Sequence, residues 1–162
     1  MNPNSLNRTQ KLVFSALVIA IYIVVMYFTQ SFAFGQYQVR IATAIYASAY
    51  VFPFLVVPLA LSNLLSNMVM GGLGFFDIVG GGLVGLLTAG ACALLGKKKI
   101  TEWSVIAPIT LIPALGVSLW LSGILGVPYW TLALSLLVGQ AICGVAGALL
   151  AIALKRIWRT KE

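Results

Sequence analysis

Thirty-six consecutive residues, Ile41 to Phe76, carry no charge, and the run is closed by Arg40 at one end and Asp77 at the other. As a single α-helix it would be ~54 Å long, against a bilayer hydrocarbon core of ~30 Å. It must therefore turn back on itself. Pro53 and Pro58 supply the break, because each lacks a backbone donor and disfavours helix in the residue before it. The run reads as two spans, about 41 to 55 and 57 to 69, followed by a glycine-rich return from Met70 to Phe76, MGGLGFF.

The whole chain shares this character. Hydrophobic residues make up 61% of it and charged residues 8%, with a mean hydropathy of +1.05, which places it among integral membrane proteins. The 162 residues hold about six spans of ~20 residues and leave no room for a soluble domain. The fold class expected is an all-α membrane bundle of six transmembrane helices in a single domain, 1–162, at the plasma membrane. Besides the two spans above, its helices cover about 12–29, 77–96, 103–122 and 129–154. Leu12 to Phe28 exceeds the ~7–15 apolar residues of a signal-peptide core, so the first run is read as a retained span. Asp77 is expected at the start of the fourth helix as its N-terminal cap. Small residues recur every fourth position at Gly81, Gly85, Ala89 and Ala93, and again at Gly139, Cys143, Gly147 and Ala151, giving two smooth faces for close helix contact.

The net charge of +7 comes from residues at segment ends: Arg8, Lys11, Lys97, Lys98, Lys99, Lys155, Arg156, Arg159 and Lys161. That is the pattern of cytoplasmic flanks rather than of a nucleic-acid-binding surface. Six spans with both termini cytoplasmic leave nine of the ten basic residues inside, and five spans with an external N-terminus leave eight, so span length rather than charge favours six. Trp103 and Trp158 then fall at the inner boundary, and Trp120, Tyr129 and Trp130 at the outer one. There is no histidine, Cys92 and Cys143 lie in apolar runs, and the acids are few and separate. Metal sites, thiolate-imidazole pairs and acid-base catalysis lack their parts, so neither a metal nor an enzymatic activity is expected. No P-loop lysine motif is present either, and nucleotide hydrolysis would belong to another chain.

A charge in hydrocarbon costs several kcal/mol unless it is paired or kept wet, which makes Arg40 and Asp77 the first candidates for function. In the six-span arrangement both emerge on the outer side. They either fasten two loops together as an ion pair or contact a polar solute. Asn63 and Asn67 lie one turn apart on one face of the third span. Gln36 and Gln38 lie in the first loop, and Gln140 lies about three turns into the sixth helix. These amides either bond neighbouring helices or line a pocket. With Trp120, Trp130 and Tyr129 at the same face, the set suits a planar heterocycle, stacked on a ring and read along its edge. On that expectation Asp77 and Asn67 read donors, Arg40 and Gln38 contact acceptors or brace a lid, and Trp120 or Trp130 stacks. The glycines of the third loop and Gly80 to Gly82 serve either a mobile lid or helix packing.

Ala16 and Ala20 in the first helix, the polar first loop and the glycine-rich third loop together resemble the substrate-binding S component of an energy-coupling factor (ECF) transporter. That resemblance implies that Ala16 and Ala20 dock on a transmembrane coupling subunit driven by two cytoplasmic ATPases. ATP is then hydrolysed by partners, with no cofactor in this chain. The segments FGQYQVRIATA and NLLSNMVMGGLGFFDIVGGGLVGLL further resemble the queuosine-precursor transporter (QueT) family. On that resemblance Gln38, Arg40, Asn63 and Asp77 fall on motif positions, and the solute is a 7-deazaguanine such as preQ1, preQ0 or queuine. One position departs: Thr43 stands where a glutamate is common in the family, which removes a natural acceptor for a guanine-type N–H edge. The alternatives are an S component for another vitamin-like or heterocyclic nutrient, or a structural subunit of a membrane complex that binds no solute.

Overall fold

The computed structural model describes residues 6–33, 39–70 and 73–159, and every element in them is helical. The loop candidates Gln36 and Gln38, with Gly71 and Gly72, lie outside the described residues. Helix α1 spans Arg8–Ala33. Its start is set by a reciprocal cap, the Gln10 N–H donating to Asn7 Oδ1 (2.8 Å) and the Asn7 N–H to Gln10 Oε1 (3.0 Å).

The charge-free run does turn back, but its first limb is not one regular helix. A 3₁₀ segment, Ile41–Ala47, passes into the single turn α2, Ser48–Val51. Phe52, held out of the α region by the proline after it (φ −123°, ψ 81°), then breaks the chain before a second 3₁₀ turn, Pro53–Leu55. Helix α3, Val56–Val69, completes the return.

Helix α4 covers Phe75–Lys97, α5 covers Ile106–Leu125 after the 3₁₀ turn Glu102–Val105, and α6 covers Tyr129–Arg159. Asp77 was expected to cap α4 and does not. Gly74 holds the cap position with φ 95°, ψ −171°, a conformation open to glycine, so the helix starts two residues earlier and Asp77 sits in its first turn. There it still complements the helix dipole, and its Oδ2 accepts the Leu73 N–H at 3.3 Å. Gly126, with φ 66°, closes α5 as a left-handed C-terminal residue, and Pro128 follows directly before α6. Helix α6 continues past Leu154 because Lys155 and Arg156 are good helix formers and Trp158 packs edge-on against Phe52, with ring centroids 4.9 Å apart.

Among the described residues four helices are long and apolar enough to cross a membrane: Arg8–Ser31, Phe75–Lys97, Glu102–Leu125 and Tyr129–Trp158. Ile41–Val51 and Pro53–Val69 are apolar but shorter. The chain is a helical membrane protein. Its apolar side chains face outward in number, Leu12, Phe28, Leu119 and Trp130 among them, as lipid requires.

Both small-residue stripes are buried. A Cβ on Gly85 would stand 2.9 Å from Tyr46 Oη and 3.4 Å from Ala60 Cα, so α3 and α4 meet nearly backbone to backbone. A Cβ on Gly147 would stand 3.2 Å from the Ala44 carbonyl, which brings the 3₁₀ segment against α6. At one end of the bundle lie the start of α1, the Pro53 corner, the α4–α5 connection and the end of α6. Lys155 pairs there with Glu102, and the Tyr50 hydroxyl donates to the Ile100 carbonyl. Arg8, Lys11, Lys97, Lys98, Lys99, Lys155 and Arg156 gather at this end, and Arg40, Asp77 and Trp120 at the other.

The packing sets opposite signs for two glycine substitutions on the same helix. Gly85→Val forces a branched side chain into a closed contact and is expected to destabilise by ~1–3 kcal/mol or more. Gly90→Ala, where no atom lies within 4 Å of an added Cβ, is expected to stabilise by ~0.5–1 kcal/mol. Thermal unfolding of the detergent-purified protein checks both, and a Gly85→Val melting temperature at or above wild type would contradict the α3–α4 contact.

Candidate functional site

Arg40 precedes the 3₁₀ segment, and Thr43 and Tyr46 follow it at intervals of three. With three residues per turn these positions eclipse one another on one face, whereas in an α-helix they would drift apart. All three side chains are buried and turn toward one narrow cleft.

The Arg40 guanidinium is only 5% exposed and offers donors alone, so it needs acceptors. Asn63 and Asn67, one turn apart on α3, supply them: Arg40 Nη1 donates to Asn63 Oδ1 at 3.3 Å and Nη2 to Asn67 Oδ1 at 3.0 Å. Turning both amide oxygens to the arginine turns both NH₂ groups to α4. There Asn63 donates to the Gly81 carbonyl at 2.7 Å and Asn67 to the Asp77 carbonyl at 2.9 Å. The absent Gly81 side chain is part of this arrangement, since a Cβ there would collide with the Asn67 amide.

Asp77, 3% exposed, forms the outer layer of the cluster. Its Oδ1 accepts the Trp120 indole N–H at 3.2 Å, while Oδ2 takes Leu73. The Trp120 ring lies over Gly80, where an added Cβ would come within 2.8 Å of it. Trp120 therefore joins α5 to the start of α4, and Asn67 links the two lone ions, bonded to Arg40 on one side and to the Asp77 main chain on the other.

On the far side of Arg40, the Thr43 hydroxyl lies 2.7 Å from the Arg40 carbonyl and 3.0 Å from Gln140 Oε1, donating its one proton to one or the other. Gln140 is buried on α6, and its main-chain carbonyl accepts from Thr110 at 3.4 Å. The cleft between these groups has a polar edge of Arg40, Thr43, Tyr46, Asn63 and Gln140 and apolar walls of Val84, Pro113, Val117 and Leu136. It lies where the two hydrophobic clusters meet, one holding Tyr46 and the other Val84, Val117 and Leu136. The gap between atoms is about 300 Å³, mouth included, of which only about 10 Å³ is wide enough for the centre of a water molecule. The cleft is narrow.

Of the positions singled out in the sequence, Arg40, Thr43, Asn63, Asn67, Asp77, Trp120 and Gln140 come together here. Trp130 does not. It is 69% exposed and packs edge-on against Tyr129, whose hydroxyl donates to the Leu115 carbonyl. Ala16 and Ala20 are exposed on α1, away from the cleft. Tyr46 was missed. Its signal was the spacing of three from Arg40 through Thr43, which is meaningful only once the segment is known to be 3₁₀. Its hydroxyl lies 3.1 Å from that of Tyr22 on α1, and both side chains are fully buried. Pro113 was also missed. It sits inside α5, where it removes one backbone donor and presents a flat apolar wall to the cleft.

Among the described residues no group of histidine, cysteine and acid side chains gathers as a metal site, and the cluster holds no nucleophile beside a base. What it offers is hydrogen-bond recognition: a cation and amides of fixed orientation along one edge, with hydrocarbon on the other sides.

Neither curated proteins nor solved structures give a match to this chain. A family model described as "QueT transporter" matches residues 12–156, nearly the whole length and every residue of the cleft. The chain belongs to the QueT transporter family, a family of transporters rather than enzymes.

Proposed function

We propose that this protein is the solute-binding S component of an ATP-driven ECF-type uptake transporter in the plasma membrane, and that its ligand is a queuosine precursor, a 7-deazaguanine such as preQ1, preQ0 or queuine. The observation that carries this reading is the cleft itself. A bicyclic heterocycle has apolar faces and a rim of donors and acceptors, and the cleft matches it with Val84, Pro113, Val117 and Leu136 against the faces. Arg40 donates to a ring carbonyl, while Gln140 and Thr43 supply the neutral acceptor and hydroxyl for the N–H edge in place of a carboxylate. Asp77, Asn67 and Trp120 hold Arg40 and Asn63 in place from behind, and Gln36 and Gln38 are retained from the sequence as further candidate contacts.

The six-span topology with both termini cytoplasmic counts Ile41–Val51 and Pro53–Val69 as spans. The gathering of basic residues at one end supports placing that end in the cytoplasm. The cleft then opens outward, as uptake requires. Ala16 and Ala20, exposed on α1, form the surface for the transmembrane coupling subunit, and two ATPase subunits supply the energy.

Two experiments test the proposal. The detergent-purified protein is expected to bind at least one of preQ1, preQ0 and queuine in titration calorimetry. Arg40→Ala and Gln140→Ala, each removing a buried hydrogen-bonding group worth ~1.5–3 kcal/mol, should weaken binding by about tenfold or more. Unchanged affinity in both variants would take the ligand out of the cleft. Purification from native membranes is expected to bring down a coupling subunit with an ATPase pair, and Ala16→Leu with Ala20→Leu should abolish that association. Retention of the partners by the double variant would move the docking surface elsewhere.

A further inference from the structure

The cleft is too narrow as it stands to admit a heterocycle, and its walls are built differently. The α3–α4 wall is tied by the Asn63 and Asn67 amides and by the Gly85 contact. The α5–α6 wall is packed through Gly144 and Gly147 against Thr110 and Ile109. The remaining wall is the 3₁₀ segment Ile41–Ala47, seven residues long where such runs seldom exceed ~3–4, with poorer hydrogen-bond geometry than an α-helix. It ends shortly before the break at Phe52. It too is held, by the Gly147 contact to the Ala44 carbonyl, the Gly85 contact to the Tyr46 hydroxyl and the Thr43–Gln140 hydrogen bond, so what sets it apart is its irregular helix, and it carries Tyr46 on its cleft-facing side.

Helix α1 is attached unlike the other long helices. Only 17% of its apolar window is buried, against 44%, 50% and 44% in the other three. Its buried residues among those described are Val18, Tyr22 and Met26, a single line at four-residue spacing. Two members of that line are apolar, and Tyr22 reaches the hydroxyl of Tyr46. Resting on the reading of the cleft as the ligand site, we infer that Tyr22, which touches no ligand, couples occupancy of the cleft to the position of α1 through the Tyr22–Tyr46 hydroxyl pair. A ligand that displaces Tyr46 moves or breaks the pair, and α1, held by so narrow a seam, shifts in response. The outer face of the same helix carries Ala16 and Ala20, so the shift reaches the surface proposed for the coupling subunit. Tyr46 is a ligand-contacting residue in this scheme and Tyr22 a positioning one.

The two tyrosines separate by readout. In Tyr46→Phe the affinity of the purified protein for preQ0 should fall by about fivefold, one hydrogen bond's worth. In Tyr22→Phe the ligand no longer has to break the pair, so affinity should equal or exceed that of wild type, while the uptake rate at saturating preQ0 in cells carrying the complete transporter falls severalfold. Val18→Ala loosens the same seam without touching a hydroxyl and should lower thermal stability while leaving uptake near wild type. Wild-type uptake in Tyr22→Phe, or an equal loss in Val18→Ala, would overturn the coupling. A measurement without variants stands beside these: in the wild-type protein, preQ0 should change hydrogen exchange in α1 peptides around Val18 to Met26. Binding of preQ0 with no change in α1 exchange would overturn the coupling alone, and absence of binding by preQ0, preQ1 and queuine alike would overturn the reading of the cleft and the coupling with it.

Discussion

The structure depends on satisfying one buried guanidinium. Arg40 carries a guanidinium that only donates hydrogen bonds, and it is almost wholly buried. Placing it at that depth costs several kcal/mol unless its donors find acceptors. A carboxylate would provide the strongest single partner but would demand donors of its own. Two asparagines take one donor each from Nη1 and Nη2 with neutral groups, because each amide has one end for the arginine and one for a helix carbonyl. The solution imposes geometry. Asn63 and Asn67 must sit one turn apart, α4 must present bare backbone at Gly81, and the segment carrying Arg40 must enter beside α3. The position of three elements follows from the needs of one side chain.

The same requirement explains how far the site could be read before any coordinates. Charges inside apolar sequence are conspicuous because their cost is high, so Arg40 and Asp77 stood out, and helical spacing placed Asn63 and Asn67 on one face. The glycine and alanine stripes of α4 and α6 were legible for a similar reason, since close approach leaves a period of four. The 3₁₀ character of Ile41–Ala47 left no such trace. The sequence IATAIYA suits either helix, and the choice depends on packing against α6 at Gly147 and on the bend at Pro53. With it went Tyr46, whose spacing of three has no special meaning on an α-helix.

Asp77 shows a second limit. Helix-start chemistry correctly brought it to the beginning of α4 but assigned it the wrong position there, because the cap was set by the backbone freedom of Gly74 rather than by a side chain. The partners of its carboxylate were out of reach of local rules: Trp120 lies 43 residues away, and only tertiary packing decides that its indole turns toward Asp77 while Trp130 turns to the surface. Interface tryptophans look alike in a sequence. They divide by whether a buried acceptor stands within reach of the N–H.

The two ends of the bundle solve opposite problems. At the basic end, Tyr50, Ile100, Lys155 and Glu102 lock the Pro53 corner to the α4–α5 connection and to α6, and Phe52 adds aromatic contacts to Phe14 and Trp158. None of these contacts involves a group that also bonds Arg40 or Asp77. At the opposite end, polar contacts are few and shared: Asn67 serves both Arg40 and Asp77, and the Thr43 hydroxyl has one proton for two acceptors, the Arg40 carbonyl and Gln140 Oε1. Sharing makes the groups there interdependent, because displacing one partner leaves another unsatisfied in a medium with no water to replace it. A ligand that supplies its own donors and acceptors can take over those bonds one for one. On the proposed reading of the cleft as the ligand site, an apolar molecule of the same size would open it at the full cost of every bond it broke, so the hydrogen-bond pattern, more than the shape of the cleft, would select the ligand.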